Sequence, residues 1–409
     1  MDETFLLNTP NARRLYEDYA KNQPIIDFHN HISVADIAGD RRYESITELW
    51  LASDPYKHRL MRICGVPEAF ITGDAEPFEK FRKFCQVFPL LAGNPVYDWS
   101  RMELKTVFGI EALPSEETAR RIFDRAGELL ASPEFSNNGI LGRFAIEYQS
   151  PVAQLGDDLG DFNGKTVAPS LRADNLLEGE FSEEIRLRLD AFGQKGCRFA
   201  DHSLDSDFFE GPRAAEKTQL LVRLGVEYAK RGWTLLLHLG AKRKTSPRLA
   251  RLAGPAGGYA AAGSAFPVDR VVDLLGAMEA AGGLPDTVLF PLNMADQSAF
   301  AVLQGSFSQD GVCSKVQLGP AWWWCDHALG IENTLGCIAS FGVVSQFIGM
   351  TTDSRSILSF LRHDYFRRLL CSWLDKQNTL GGWDMTPAAQ GQLIEKICYQ
   401  NAYDKLHRR

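Results

Sequence analysis

The chain has 409 residues, of which 45% are hydrophobic and 23% are charged, which is ordinary for a globular protein with a sizeable core. Its formal net charge of −8 argues against nucleic-acid binding through general electrostatics, and no apolar stretch is long enough to span a bilayer. We therefore expect neither a nucleic acid nor a membrane as partner. A small anionic substrate stays compatible with the net charge, because a few local arginines can override it.

Cysteine usage and the N-terminus indicate a location. The eight cysteines are scattered and include no C-x-x-C pair, which in a chain of this length predicts reduced thiols. The first twenty residues are acidic and amphipathic, and they lack the basic segment and apolar run of a secretory signal. We expect a cytoplasmic protein.

Short apolar segments that alternate with helical stretches predict parallel strands joined by crossover helices. The first follows Pro24 and covers residues 24–29. Between residues 34 and 140, apolar residues recur every three to four positions, which predicts helices. The later strand candidates are 144–148, 166–169, 197–200, 233–238, 287–293, 315–318 and 346–351.

Eight strand candidates predict an α/β fold of the closed (β/α)8 type, a TIM barrel. An open doubly wound sheet often carries a glycine-rich phosphate turn after its first strand, and this chain has DFHNHIS there. We expect strand 1 within residues 1–33, a mainly helical insertion over residues 34–140, and the rest of the barrel over residues 141–409. The segment 254–258, rich in glycine, predicts a flexible loop after the fifth strand.

Polar side chains cluster where the predicted strands end. In a TIM barrel the carboxyl ends of the strands converge on one mouth, and activity resides there. In chain order these residues are His29, His31, Arg172, Asp201, His202, His238, Asn293, Trp322 and Asp353. Several of them are types that bind metals or transfer protons.

The D-x-H-x-H motif at the first strand indicates a metal site. His29 and His31 lie two residues apart, so their side chains point to the same face of a strand. Two neutral imidazoles suit zinc or a similar divalent cation, and the carboxylate of Asp353 can complete the shell. The alternative is a pair of inert histidines near a turn.

Asp353 and His238 also have structural alternatives. Asp353 could cap the helix that follows it, but a cap does not require Arg355, beside which a carboxylate stays ionised. His238 ends an apolar strand, where it is either a structural histidine, a fourth metal ligand or a group that orients substrate. Of the three consecutive tryptophans Trp322, Trp323 and Trp324, we expect one to line the pocket and the others to pack against helices.

A set of segments spread over nearly the whole chain carries a family signature: DFHNHIS, APSLRAD, CRFADH, LLLHLGAKR, LFPLN, KVQLGPAWWWCDH and FIGMTTDSRSILSFLRHDYFRRLLCSWL. Together they resemble uronate isomerase, a member of the amidohydrolase superfamily. The blocks TDSRSxLSxxRHxYFRRxLC and HxGAxR are specific to that family, whereas D-x-H-x-H alone indicates only the superfamily.

The resemblance implies a TIM barrel with one divalent metal, usually zinc, with manganese as another candidate. It also implies interconversion of D-glucuronate or D-galacturonate with fructuronate or tagaturonate. On this chain His29, His31 and Asp353 match metal positions, and His238 matches the histidine of strand five. The positions that match the substrate pocket are Tyr56, Arg172, Asp201, Arg243, Trp322 and Arg355.

These residue types fit the chemistry of an aldose–ketose isomerase. Moving a proton between adjacent carbons through an enediol needs a base, an acid and positive charge where the oxyanion develops. We predict catalytic roles for Tyr56, Asp353 and Arg355. Substrate binding is predicted for Arg172, Asp201, Arg243 and Trp322. The base stays open between Tyr56, Arg355, Asp353 and a metal-bound oxygen, and Tyr56 would serve if the field of the cation lowers its pKa.

The chain departs from the family pattern on the substrate side. Pro55-Tyr56-Lys57 stands where the family usually has His-Tyr-Lys. Glu147-Tyr148-Gln149-Ser150-Pro151 replaces a Thr-Asp-Asp-Pro element, and the segment up to APSLRAD is short. A divergent member that acts on a different sugar acid is therefore a second hypothesis.

Two other functions also stay open. One is a metal-dependent hydrolase, lactonase or decarboxylase of another sugar acid on the same barrel. Against it, Asn293 ends the sixth strand where a histidine is expected, and no second-metal lysine is evident. The other is a non-catalytic binder of sugar acids, against which the retained His29, His31, Asp353 and Arg355 argue. A homo-oligomer stays open as well.

Overall fold

The computed structural model describes residues 4–255 and 257–408. Seven strands pair in parallel into one curled sheet, and two short strands, β6 and β7, form a separate antiparallel ribbon. The sheet order is β1-β2-β3-β4-β5-β8-β9, as expected when each strand is followed by a crossover. The strands are β1 (Ile25–Asn30), β2 (Ile146–Gln154), β3 (Ser170–Arg172), β4 (Phe199–Leu204), β5 (Thr234–Leu239), β6 (Ala241–Lys242), β7 (Ala261–Ala262), β8 (Asp286–Pro291) and β9 (Val316–Leu318).

The eighth strand candidate, residues 346–351, differs from the prediction because it has no strand ladder. Gly349 interrupts it with a φ of +90°, a conformation that an extended strand does not have. A side chain at this position would collide with the carbonyl oxygen of Ile397, so the glycine also permits close packing of the C-terminal helices.

Hydrogen bonds attach this segment to both edges of the sheet, although it forms no strand ladder. The Ile348 amide donates to the side chain of Gln317 in β9 at 2.9 Å. On the other side, the His29 amide in β1 donates to Oγ1 of Thr351 at 2.9 Å. The segment therefore lies between β9 and β1 and completes the ring.

Helices surround the sheet, and seven of them, α2 to α8, lie between β1 and β2, where the sequence predicts the insertion. Many begin with proline in the first turn, where its missing amide hydrogen costs nothing. The helices are α1 (Pro10–Leu15), α2 (Val34–Ala38), α3 (Ile46–Trp50), α4 (Pro55–Ile63), α5 (Pro77–Val87), α6 (Pro95–Phe108), α7 (Ala119–Leu130), α8 (Asn137–Leu141), α9 (Glu183–Gln194), α10 (Ala214–Lys230), α11 (Pro247–Ala253), α12 (Val268–Ala280), α13 (Gln297–Ser306), α14 (Ala328–Phe341), α15 (Leu361–Gly381), α16 (Pro387–Glu395) and α17 (Asn401–His407).

One continuous hydrophobic core joins the barrel to the inserted helices. It includes Phe28 and Leu236 of the strands together with Trp50 and Phe84 of the insertion, all at most 1% exposed. The insertion is therefore packed on the barrel. All eight cysteines are free thiols.

No helix in the described part of the chain is long and apolar enough to cross a membrane.

Candidate active site

Residues from three distant parts of the chain meet at the mouth of the barrel. His29 from β1, His238 from β5 and Asp353, after the ring-closing segment, each offer a ligand atom, and these atoms lie within 4.8 Å of one another. His29 Nε2 is 3.2 Å from Asp353 Oδ1, and His31 Nε2 is 3.2 Å from the same oxygen. His31 stands outside the 4.8 Å group but shares its carboxylate. The four residues predicted to hold a metal are thus brought together.

The first residue of the D-x-H-x-H motif positions the carboxylate of Asp353. Asp27 is fully buried, and its carboxylate accepts hydrogen bonds from the hydroxyls of Thr351 and Thr352. Directly after Thr352 the chain turns through a left-handed conformation at Asp353, with φ +47°, and the Asp353 amide donates to the carbonyl of His29 at 3.1 Å. A non-glycine residue rarely adopts such a φ, so the surrounding contacts must hold it there.

The protonation states of the cluster suit a cation. Burial lowers the pKa of His238 and lowers that of His31 to about 4, so both imidazoles are neutral near neutral pH. Burial alone would raise the pKa of Asp353, but hydrogen bonds with His29 and His31 hold it well below its usual range. The result is a set of neutral nitrogens around an ionised carboxylate.

Unpartnered atoms also favour a cation here. Nδ1 of His29 and Nε2 of His238 are buried without a hydrogen-bond partner among the described residues, and Nε2 of His29 has only its 3.2 Å contact with Asp353. Buried polar atoms without a partner are rare and need a reason. Two ligands that are each about 2.1 Å from a tetrahedral zinc ion lie roughly 3.4 Å apart, close to the spacing found between His29 and Asp353. These residues fit a divalent metal.

Asp201, expected among the substrate-binding residues, lies behind the pocket. Its carboxylate is fully buried and contacts both His238 Nδ1, at 2.5 Å, and the guanidinium of Arg172. Burial would raise the pKa of Asp201, but Arg172 and His238 hold it well below its usual range. Because Nδ1 faces this carboxylate, Nε2 of His238 is left to face the metal cluster. The structure therefore favours a positioning role over contact with substrate.

Two other polar residues at strand ends face away from the site. His202 points to the opposite side of β4 from Asp201, and its ring nitrogens contact Asp174 and Tyr228 at 3.0 Å each. Asn293 caps a short helical turn by accepting from the Ala295 amide at 3.0 Å. Neither residue lines the pocket beside the metal cluster.

A pocket of about 360 Å³ opens beside the metal cluster. That volume lies within the roughly 300–1,000 Å³ that is usual for small-molecule sites. The residues predicted for the site that line it are His31, Tyr56, Arg172, Arg243, Trp322, Asp353 and Arg355. His29 and His238 lie behind this surface, at the base of the cluster.

The three arginines of the pocket differ in how far they are already engaged. Arg172 is bound to Asp201, while Arg243 donates to Asp205 at 2.9 Å and to Ser203 at 2.6 Å. Arg355 is exposed and has no hydrogen-bond or ion-pair partner within the described residues. Its guanidinium is therefore free to bind an anion, and the planar fork of an arginine suits a carboxylate.

Tyr56 reaches the pocket from the start of α4. The side chain of Asp54 accepts from the amides of Tyr56 and Lys57 at 2.9 and 3.1 Å, and Pro55 occupies the first helical position. Lys57 is buried and contacts Asp54 at 2.6 Å and Glu103 at 3.5 Å. The proline that departs from the family pattern thus forms part of a well-capped helix start.

The hydroxyl of Tyr56 lies 3.1 Å from the carbonyl oxygen of Trp323 and 3.3 Å from Oδ2 of Asp326. Burial and the nearby Asp326 raise the pKa of Tyr56 well above its ordinary value. The surrounding protein groups thus shift this pKa upward, opposite to the direction considered for a tyrosine base. Tyr56 is a neutral phenol near neutral pH.

The consecutive tryptophans differ from expectation, since two of them line the pocket rather than one. Trp322 packs edge-on against His238, with 4.5 Å between ring centroids, and Trp323 lies under the guanidinium of Arg243. Trp324 turns away and packs edge-on against Tyr56. The cause is the backbone of Trp323, whose φ of +49° breaks the regular alternation of side chains.

A loop covers one side of the pocket. The carbonyl oxygen of Ala260 accepts a hydrogen bond from Arg59 of α4 at 3.2 Å. Gly258 has a φ of +78° and packs directly against the carbonyl of Pro55. This is the glycine-rich segment 254–258 that the sequence predicts as a loop, although its residue 256 lies outside the described residues. The loop contacts α4 beside Tyr56.

Sequence reasoning missed Asp326, a buried residue within the WWWCDH segment. Arg362 donates to it at 2.9 Å, and Tyr56 contacts the same oxygen. The segment shows an aspartate next to the tryptophans, but the residues that contact Asp326 lie on α4 and α15. Only the folded chain therefore shows these contacts.

Comparison with known proteins identifies the family. The chain matches the model of the glucuronate isomerase family over residues 1–182 and 212–405. It is 35% identical to the uronate isomerase of Caldanaerobacter subterraneus, in an alignment that covers 98% of each protein. The chain belongs to the glucuronate isomerase family. The resemblance drawn from the motifs is confirmed, and with it an aldose–ketose isomerase.

Solved structures of this family share the fold. The crystal structure of uronate isomerase from Thermotoga maritima matches with a TM-score of 0.88 at 25% identity, over 99% of each chain. That of glucuronate isomerase from Caulobacter crescentus matches with a TM-score of 0.86 at 23% identity, over 98% of this chain and 94% of the other. The predicted α/β barrel is confirmed. The Caldanaerobacter alignment spans 458 positions against 409 residues here, so that relative contains segments that this family member lacks.

Proposed function

We propose that this enzyme interconverts a hexuronate and its ketose: D-glucuronate with D-fructuronate, D-galacturonate with D-tagaturonate, or both. The observation that carries the proposal is a histidine–carboxylate cluster at one pocket that is also lined by Arg355, an arginine without a hydrogen-bond or ion-pair partner among the described residues. A hexuronate has a carboxylate at one end and a carbonyl with neighbouring hydroxyls at the other. The metal cluster suits the carbonyl and hydroxyl oxygens, and the guanidinium of Arg355 suits the carboxylate.

His29, His31, His238 and Asp353 would hold one divalent cation, which we propose is zinc. When bound, such a cation supplies Lewis acidity and orients the oxygens of the sugar. Asp201 positions His238 in this set, because it fixes which ring nitrogen is free. Asp353 stays ionised for the same role.

Arg355 and the two paired arginines provide the positive charge that the reaction needs. Arg355 binds the substrate anion with its free guanidinium, while Arg172 and Arg243 are held in place by Asp201 and Asp205. Charge that is fixed before the reaction stabilises a developing oxyanion without reorganisation. Trp322 and Trp323 provide an apolar wall that limits access of water.

Tyr56 moves the proton between the two carbons. It lines the pocket, and its hydroxyl is held by the Trp323 carbonyl and by Asp326. A neutral phenol that both donates and accepts a hydrogen bond suits an enediol pathway, in which a proton leaves one carbon and returns to its neighbour. We also propose that the enzyme works in the cytoplasm, which its free thiols support.

The test is turnover on a panel of hexuronates by protein loaded with zinc or with manganese. We expect conversion of at least one aldose to its ketose, detected by a coupled dehydrogenase and by NMR of the product. A matched R355K variant retains charge but lacks the planar fork, so it should lose activity with an unchanged metal content. No turnover of any hexuronate would refute the proposal, and release of acid or carbon dioxide would instead favour the hydrolase or decarboxylase hypothesis.

A further inference from the structure

Asp326 stands behind Tyr56 and has 4% of its surface exposed. Its Oδ2 lies 3.3 Å from the Tyr56 hydroxyl and 2.9 Å from the guanidinium of Arg362. Arg362 is itself buried, with its guanidinium 4.0 Å from the centre of the Trp99 ring. Asp326 does not line the pocket, so a substrate there meets it only through Tyr56.

We propose that Asp326 is a positioning residue of the isomerase that acts through Tyr56, by orienting its hydroxyl and by taking up its proton. This inference rests on the proposed function, which supplies the substrate proton. It assigns a task to a buried carboxylate that otherwise has no role in the site.

Two protons move together in each half-reaction. In the first half-reaction the Tyr56 oxygen accepts the proton that leaves a substrate carbon, while the original Tyr56 O–H bond breaks and that proton bonds to Oδ2 of Asp326. Tyr56 stays a neutral phenol, Asp326 becomes a neutral acid, and the substrate carries the charge as an enediolate. Within the enediolate the hydroxyl proton moves from the oxygen of the first carbon to the oxygen of its neighbour. The reverse transfers from Asp326 through Tyr56 then deliver one proton to the neighbouring carbon, which leaves a carbonyl on the first carbon.

The surroundings of Asp326 favour such an exchange. Burial raises its pKa to about 7, against the opposing effect of Arg362, so both protonation states are accessible near neutral pH. Burial also raises the pKa of Tyr56 well above its ordinary value, so Tyr56 needs a partner to release its proton. The charged or titratable groups that interact with Asp326 are Tyr56, Arg362, Asp353, Tyr365 and Cys325.

The first test is the pH profile of the metal-loaded D326N variant. General acid–base groups contribute about 10²–10⁴-fold, so we expect kcat to fall at least about 10-fold while KM changes much less. The ionisation that Asp326 contributes to the wild-type pH profile should disappear. The matched control is D375N, which alters another buried aspartate. Asp375 lies in α15 and binds Thr9 and Asn11, which are not part of the site. A D326N enzyme with wild-type kcat and profile would overturn the inference.

A second measurement applies even if D326N folds poorly. In the metal-free protein labelled with ¹³C at aspartate carboxyls, Asp326 should titrate near pH 7. The Y56F variant removes a hydrogen bond that stabilises the ionised form, so the pKa of Asp326 should rise. An unchanged titration in Y56F would overturn the inference. This reading needs no turnover, whereas failure of the wild type on every hexuronate would overturn the proposed function instead.

Discussion

Asp201→Asn is the substitution that tests most sharply how the protein prepares its metal site. Asp201 is fully buried and accepts from Nδ1 of His238 at 2.5 Å, while its other oxygen binds Arg172. An asparagine of the same shape loses the negative charge and turns an NH₂ group toward one of these two donors. His238 is then free to adopt the other tautomer, and the guanidinium of Arg172 loses its counter-charge.

The magnitude follows from the position of Asp201 one step behind a ligand. Loss of such a partner typically weakens metal binding about 10- to 100-fold, or about 1.4–2.8 kcal/mol. We expect D201N to bind zinc more weakly by that factor. The assay is competition for zinc with a chromophoric chelator, which needs no substrate and so separates metal binding from catalysis.

The control again is D375N, because it neutralises a buried aspartate that has no contact with the cluster. D375N is expected to bind zinc with wild-type affinity even if its melting temperature falls. If D201N binds zinc as tightly as the wild type, Asp201 does not position His238 and the reasoning fails.

Three further outcomes follow from the same structure. Arg355→Met should lower kcat/KM by about 10- to 150-fold, because hydrogen bonds to a charged group contribute about 1.5–3 kcal/mol, with zinc content unchanged; a loss of less than about threefold would show that Arg355 does not meet the substrate. In metal-free protein the pKa of His31 is lowered to about 4, so the folded state resists protonation and stability should fall as the pH drops from about 6.5 toward 4, by at most about 3 kcal/mol. Thermal melts from neutral to acid pH should show this slope in the wild type and a shallower slope in H31N, and equal slopes would contradict it. Gly258→Ala should lower the melting temperature, since an added Cβ strains a backbone at φ +78° and meets the carbonyl of Pro55, at a cost of about 1–3 kcal/mol, whereas an unchanged melt would mean that the loop does not dock on α4.

Much of the fold follows from local patterns in the sequence. The apolar run at 233–238 matches β5, and the change to helical spacing after residue 34 matches α2 to α8, because both depend on periodicity alone. The third candidate, 166–169, ends just before β3, since Val167 makes only an isolated bridge to Gln149. The eighth failed as a strand because Gly349 departs from extended geometry in order to pack against Ile397, a tertiary contact that no local pattern reveals.

In the site, the residues at strand ends could be predicted from the sequence, but the roles of their buried partners could not. A meeting of His29, His31 and Asp353 could be predicted because each ends or follows a strand candidate, and the topology of a barrel brings strand ends together. The buried partners were not found or were assigned differently: Asp201 was expected to bind substrate, and Asp326 was missed. The role of a carboxylate behind a site depends on which donors reach it from other elements, here Arg172 from β3 and Arg362 from α15.

The most direct measurement of the central claim is an anomalous-difference map at the zinc edge from crystals of the zinc-loaded enzyme. We expect one strong peak at the barrel mouth, about 2.0–2.2 Å from a ring nitrogen of His29 and from an oxygen of Asp353, and facing the pocket lined by Arg355. A map with no peak between these residues, or with its main peak elsewhere in the molecule, would contradict it.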